Sequence, residues 1–319
     1  MLQELQHGKE SILKVIKNIL KVSIPISLSA ILSSINKNID STTVVRGLKN
    51  FMDEGAAKIQ YGILSGKVDT LTSLPLSFNI AFATALVPAL SYARAKNDMT
   101  TANKRVSFSI LVTILIGLPC TAGMFIFAEP ILKLLFPAQS SGAFLLQISS
   151  LAIIFTVLAQ TINGALQGLG KVMVPAMAFA VGVIAKFIIN VILVPIPEIG
   201  VNGAAIGTIA CNVIACLIGF IVLKKNMTIE FKFSKYVIKP IIATFIMSIC
   251  SYAIYILLLK IIPLKLAAVI AICLAIIIYA LAIVSLKVFT KEEIHMIPYG
   301  QKIYGILTKM GIYKAEQQY

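Results

Sequence analysis

Lys186 and Asn190 stand four residues apart in the apolar stretch 182–208, GVIAKFIINVILVPIPEIGVNGAAIGT, and a helix places both on one face. A cation near the middle of a membrane span costs roughly 3 kcal/mol on insertion scales, so such a residue faces protein or a water-filled cavity. An ammonium beside an amide there has two uses: it can hold an anionic head group, or it can be a structural cation satisfied by neighbouring helices. A second pair, Asn36 and Asp40, is again four apart, in the polar segment SINKNIDSTTVVRGL. Lys67 and Asp69 lie two apart in YGILSGKVD, so they point to different faces, and each looks to another helix or to water. A lysine whose stem snorkels to the interface accounts for Lys67 equally well. Gln160, Thr161 and Asn163 cluster just before LQGLGK, a short loop that forces a tight hairpin. The candidate substrate-binding residues are Lys67, Asp69, Lys186 and Asn190; the candidate polar cavity residues are Asn36, Asp40, Gln160 and Asn163.

The elements that position these residues are apolar runs. The chain is 58% hydrophobic and 13% charged, with a mean hydropathy of +0.93, whereas a soluble domain carries about 25% charged residues. Several runs reach the roughly 20 helical residues that a hydrocarbon core requires. The reading is an all-α polytopic membrane protein with eight spans, at about 19–39, 68–91, 107–128, 143–165, 174–195, 201–223, 238–259 and 266–288. An even number puts both termini on one side. With Lys21 and Lys287 counted in the segments they flank, that side carries 19 Lys and Arg against 7 on the other, which makes the termini cytoplasmic.

Within the spans, Ser23, Ser27 and Ser34 with Ala30 form a stripe that either packs helices closely or lines a polar cavity. Pro75 and Pro88 in the second span, and Pro119 in the third, each remove a backbone hydrogen bond and predict bent or broken helices. The segment AEPILKLLFPAQSSG is too short to span and is expected in the outer interface. Gly203, Ala204 and Gly207 make a small-residue surface for close packing at the start of the sixth span. Five segments result: a cytoplasmic amphipathic lead-in (1–18) with Lys14, Lys17 and Lys21 on one face, a six-helix bundle (19–223), a basic loop (224–237), two further aliphatic spans (238–288), and an amphipathic tail (289–319) with Ile303, Leu307 and Met310 on one side.

Other classes of function find little support. The formal charge of +15 is distributed among the segments between apolar runs, so nucleic acid is not an expected partner. Cys120, Cys211, Cys216, Cys250 and Cys273 lie in apolar runs without metal-ligand or redox spacing, and His7 and His295 have no companion ligands. No P-loop, dinucleotide fingerprint or nucleophile elbow is present, so neither an enzyme, a metal nor a cofactor is expected. The start of the chain lacks a small-residue cleavage pattern and reads as lead-in to the first span rather than as a signal peptide.

Four blocks carry a resemblance: LPLSFNIAFATALVPALS, GLPCTAGMFIFAEPILKLLF, LQGLGKVMVPAM and the 182–208 stretch. In this order they resemble the second half of the stage V sporulation protein B group of polysaccharide-biosynthesis membrane proteins. That group is related to the lipid II flippase and, more distantly, to the multidrug and toxic compound extrusion transporters. The resemblance runs from about residue 19 to 223. It implies the second six-helix bundle of a MATE-like flippase fold plus two extra helices, in a bacterial cell membrane. It also implies a substrate, an undecaprenyl-diphosphate-linked sugar for spore cortex or cell-wall polysaccharide, and a partner, the six-helix first half. In the flippase relatives cavity cations hold the diphosphate, and an aspartate followed by an arginine precedes the Leu-Pro of the second helix. Here Asp69 matches the aspartate, Thr70 stands at the arginine position, and the nearest cation is Lys67. Two alternatives remain: a cation-coupled drug or metabolite antiporter using Asp40 and Asp69, and a fragment that is inactive without a separate first half.

Overall fold

Apolar runs of this length satisfy their backbone groups internally as helices, and the computed structural model, which describes residues 12–228, 232–296 and 300–309, contains helices and no strand among them. In chain order these are α1 (Ile12–Leu48), α2 (Glu54–Gly62), α3 (Asp69–Ala95), α4 (Met99–Ile126), α5 (Ala128–Leu135), α6 (Ala143–Gly168), α7 (Met173–Leu193), α8 (Asn202–Asn226), α9 (Lys239–Leu259), α10 (Leu264–Ser285), α11 (Lys291–Met296) and α12 (Gly300–Lys309). Two π-helical segments, Ile63–Val68 and Ser234–Ile238, lead directly into α3 and α9.

Seven of these helices are long and apolar enough to cross a membrane: the continuous Glu54–Ala95 rod, α4, α6, α7, α8, α9 with its π segment, and α10. They overlap the second to eighth expected spans. The first expected span lies inside α1, a helix of 37 residues that is not among the seven. Its C-terminal half carries Lys37, Asp40 and Arg46. The faces expected for Lys14, Lys17 and Lys21 and for Ile303, Leu307 and Met310, and the environments of His7 and His295, lie outside the described residues and side chains.

Local chemistry sets the boundaries. Asp53 caps α2 by accepting from the Ala56 N–H at 3.0 Å, and Asp98 caps α4 by accepting from the Thr101 N–H at 3.0 Å; each satisfies a donor that the first turn leaves unpaired. Helix α3 is not broken at Pro75 or Pro88, nor α4 at Pro119. The irregularity of the second span lies before its prolines, in the π segment, where the Asp69 N–H bonds back to the Leu64 carbonyl five residues away. The segment after α4 folds as the short α5, which buries Ala128, Pro130 and Leu132. The hairpin between α6 and α7 turns at Gly170, whose φ of +76° favours glycine.

Packing is a chain of neighbours. Helix α6 touches α3, α4 and α8; α8 packs along α7; α7 carries α1. Helix α1 otherwise leans on α2, and no contact of comparable extent joins it to α3. Small residues permit the close crossings. Gly203 sits against Leu193 and Val194, Gly182 against Cys211, and Gly164 against the backbone of Ala83. Helices α9 and α10 pair with each other and dock through α9 on α4 and through α10 on α5. Apolar clusters close both ends, one around Leu90, Leu111, Leu166 and Leu223, the other around Leu48, Leu132, Leu146 and Val194.

Candidate functional site

The buried face of α7 carries Lys186 at 1% exposure and Asn190 at 0%. Both meet α1. Lys186 Nζ donates to Asp40 Oδ2 at 2.5 Å, and Asn190 Nδ2 donates to Asp40 Oδ1 at 3.1 Å and to Thr43 Oγ1 at 3.1 Å. Thr43 in turn donates to the Ile39 carbonyl at 2.6 Å. Both carboxylate oxygens of Asp40 are thus engaged, and its side chain is 14% exposed. In so dry a seam each charge depends on the other, because an isolated buried charge carries a large desolvation cost. Helix α8 closes the back of the site with Gly207, where any Cβ would collide with Asn190 Oδ1 and press on Lys186. Asn190 Oδ1 and Asn36 Oδ1 are buried without a hydrogen-bond partner among the described residues.

Asp69 is exposed, at the start of α3, within electrostatic reach of Asp40, Lys186 and Lys37. Tyr61, on α2, lies within electrostatic reach of Asp40 and Asp69, and its carbonyl accepts from the Ser65 hydroxyl at 3.0 Å. Three of the four substrate-binding candidates, Asp69, Lys186 and Asn190, therefore converge with the cavity candidate Asp40. Lys67 goes elsewhere: its Nζ donates to the Gln139 carbonyl at 2.5 Å and lies 5.5 Å from the centre of the Phe136 ring. Lys67 lies in the last turn of the π segment, and its side chain reaches the loop after α5. As a cation ready to meet substrate, Lys186 is also a different object from the one its sequence suggests, since Asp40 already neutralises it.

Gln160 belongs to a second polar cluster, between α3, α4 and α6. Asn79 Nδ2 donates to the Val157 carbonyl at 2.9 Å, to Gln160 Oε1 at 3.1 Å and to Thr161 Oγ1 at 3.2 Å. Thr113 donates to Asn79 Oδ1 at 3.1 Å and lies 2.7 Å from the Thr161 hydroxyl. Asn79, Thr113 and Thr161 are fully buried, which makes this a structural knot of the bundle core. Asn163 is half-buried on α6, one turn beyond Gln160. Sequence reasoning missed Asn79 and Thr113; each is a lone polar residue in an apolar run, and that isolation was the available signal. It also missed Arg94, which donates to the Leu169 carbonyl and, with Ser91 donating to the Gly168 carbonyl at 3.2 Å, clamps the α6–α7 hairpin. No group of His, Cys, Asp and Glu among the described residues has the arrangement of a metal site.

The family model for the Lipid II flippase MurJ matches residues 2–262. The chain is 27% identical over 296 residues to the uncharacterized membrane protein YabM of Bacillus subtilis (strain 168), an alignment covering 90% of this chain and 54% of the relative. It is 23% identical over 236 residues to stage V sporulation protein B of the same organism, covering 74% and 45%. Among solved structures, the lipid II flippase MurJ in an inward closed conformation aligns with a TM-score of 0.63 at 19% identity, covering 88% of this chain and 57% of that one. An outward-facing multidrug resistance MATE family transporter of the MOP superfamily aligns with a TM-score of 0.53 at 14% identity, covering 92% and 70%. These structures share the fold, and the chain spans about half the length of the curated relatives it matches.

Proposed function

The chain belongs to the Lipid II flippase MurJ family, a family of flippases rather than enzymes, and on that premise we propose that it serves to translocate an undecaprenyl-diphosphate-linked sugar or peptidoglycan precursor across a bacterial cell membrane, for cell-wall or spore-cortex polysaccharide. Both termini face the cytoplasm in this reading, following the distribution of basic residues. The bundle works against a second six-helix bundle that closes the open side between α1 and α3. Alternating access in folds of this kind is one bundle rocking against the other around a site between them.

The observation that carries the reading is the Asp40–Lys186–Asn190 cluster. It is the buried charged joint between α1, the edge helix of the bundle, and α7, and Asp69 lies within electrostatic reach of it and of Lys37. When α1 shifts, Asp40 must exchange Lys186 for another partner, and an anionic diphosphate entering the opening would compete for that ammonium. Asp69 then positions the head group through hydrogen bonds to sugar hydroxyls. The antiporter alternative needs a carboxylate open to a coupling ion; Asp40 is committed to Lys186 and Asn190, which leaves Asp69 as the acidic group available on the open side among the described residues.

Proteoliposomes holding the chain together with a six-helix first bundle of a relative test the proposal, with a fluorescent undecaprenyl-diphosphate sugar as probe. Protection of the label from external quencher should develop only when both bundles are present. Proton- or sodium-driven export of a cationic dye, without movement of the lipid-linked sugar, would favour the antiporter instead.

A further inference from the structure

A cavity of about 680 Å³ opens at the end of the bundle where the basic loops lie, far along the chain from the Asp40–Lys186 seam. Three segments build it: the first turns of α4 with Thr100 and Lys104, the approach to α9 with Thr228, Lys232 and Lys235, and the start of α11 with Lys291, Glu292 and Glu293. Among its described lining residues, four lysines against two glutamates leave a surplus of two positive charges. Both glutamates are occupied in building the walls. Glu292 pairs with Lys104 at 3.0 Å, while Glu293 pairs with Lys235 and accepts from the Thr290 N–H at 2.9 Å to cap α11. The cavity thus joins the transporter bundle to the α9–α10 pair and holds a positive potential with hydroxyl donors around it.

Its flank is apolar. Phe233 is 62% exposed beside Lys232, and Ile238, Ile241 and Ile242 continue an exposed apolar face along α9 into the membrane-spanning region. A basic pocket at a membrane surface that opens on an apolar helix face matches a ligand with an anionic head and acyl chains. We propose that this cavity binds the phosphate-bearing head group of an anionic phospholipid, held by Lys232 together with Lys104 and Lys235, which keep N–H donors beyond those given to Glu292 and Glu293, with its acyl chains along α9. A lipid seated there would tie the α9–α10 pair to α4. A soluble phosphate would use the lysines but leave the apolar flank uncovered, so the lipid is the better fit.

The test uses the full chain purified from nanodiscs containing equal phosphatidylglycerol and phosphatidylcholine, with the co-purifying lipid read by mass spectrometry. Phosphatidylglycerol should be enriched over phosphatidylcholine. Lys104→Ala and Lys232→Ala should each lower that enrichment by about fivefold, the worth of one basic residue at a membrane surface. Lys232→Arg should retain the enrichment. Lys133→Ala, on α5, should leave it unchanged. Because Lys232 is exposed, its substitution does not threaten folding, and a monodisperse elution profile checks this. Equal retention of the two lipids, an equal loss in Lys133→Ala, or displacement of phosphatidylglycerol by inorganic phosphate would overturn the proposal.

Discussion

Removing Asp40 leaves Lys186 as a cation with no counter-charge in a seam where it is 1% exposed. Breaking a buried pair from one side costs about 3–5 kcal/mol, whereas replacing both partners with apolar residues of similar size is close to neutral. Asp40→Ala should therefore lower thermal stability sharply, and Asp40→Leu combined with Lys186→Met should restore most of it; thermal unfolding in detergent reads both. Gly207→Ala should cost about 1–3 kcal/mol, the usual range for overpacking, because its Cβ meets Asn190 Oδ1 and lies 3.2 Å from Lys186 Cγ. Gly62→Ala, with nothing within 4 Å of the new Cβ, is the comparator and should be neutral or slightly stabilising in the same measurement. The sequence made Lys186 and Asn190 legible as a pair on one face, because helical spacing is local information. Their partner was nameable but not assignable: Asp40 lies 146 residues from Lys186, and only the α1–α7 packing joins them.

At the scale of elements, the bundle is held by polar knots inside apolar seams. Asn79→Ala removes the donor and acceptor that link α3 to α4 and α6, leaving Thr113 and Thr161 with each other. The expected loss is about 1–3 kcal/mol, with the secondary structure content by circular dichroism unchanged at low temperature. The start of α4 gives a pH test. The Thr101 hydroxyl and N–H hold the Asp98 carboxyl below its ordinary range by bonding the ionised form. A carboxylate with a depressed folded-state pKa contributes stability above its unfolded pKa and loses it as pH falls through the folded one. The difference in melting temperature between the native chain and Asp98→Ala should therefore be present at neutral pH and shrink toward zero in acid. Pro75 and Pro88 predicted a bent or broken α3, and the helix is not broken at either; the π segment 63–68, which no residue type announces, leads into it. Lys67, in that segment, reaches the Gln139 carbonyl.

For the whole molecule, the order of the second to eighth expected spans followed from apolar run length, because a lipid-facing backbone has few alternatives to a helix, whereas the first, expected at 19–39, lies in α1, which is not among the seven helices long and apolar enough to cross a membrane. That α1 packs on α7 and α2 without an extensive contact to α3 was not legible, since it depends on which faces remain without a neighbour after α6, α7 and α8 have packed. The relatives it matches are about twice as long as this chain, and the proposed function places a second bundle against α1 and α3. In this account the Asp40–Lys186 joint matters to movement beyond its role in stability. The direct measurement is translocation of a labelled undecaprenyl-diphosphate sugar by the paired bundles, comparing the native chain with the stability-matched Asp40→Leu, Lys186→Met variant. The variant should insert and unfold like the native chain but translocate slower by about tenfold or more, equivalent to about 1.4 kcal/mol of barrier. Equal translocation rates at equal stability would contradict it.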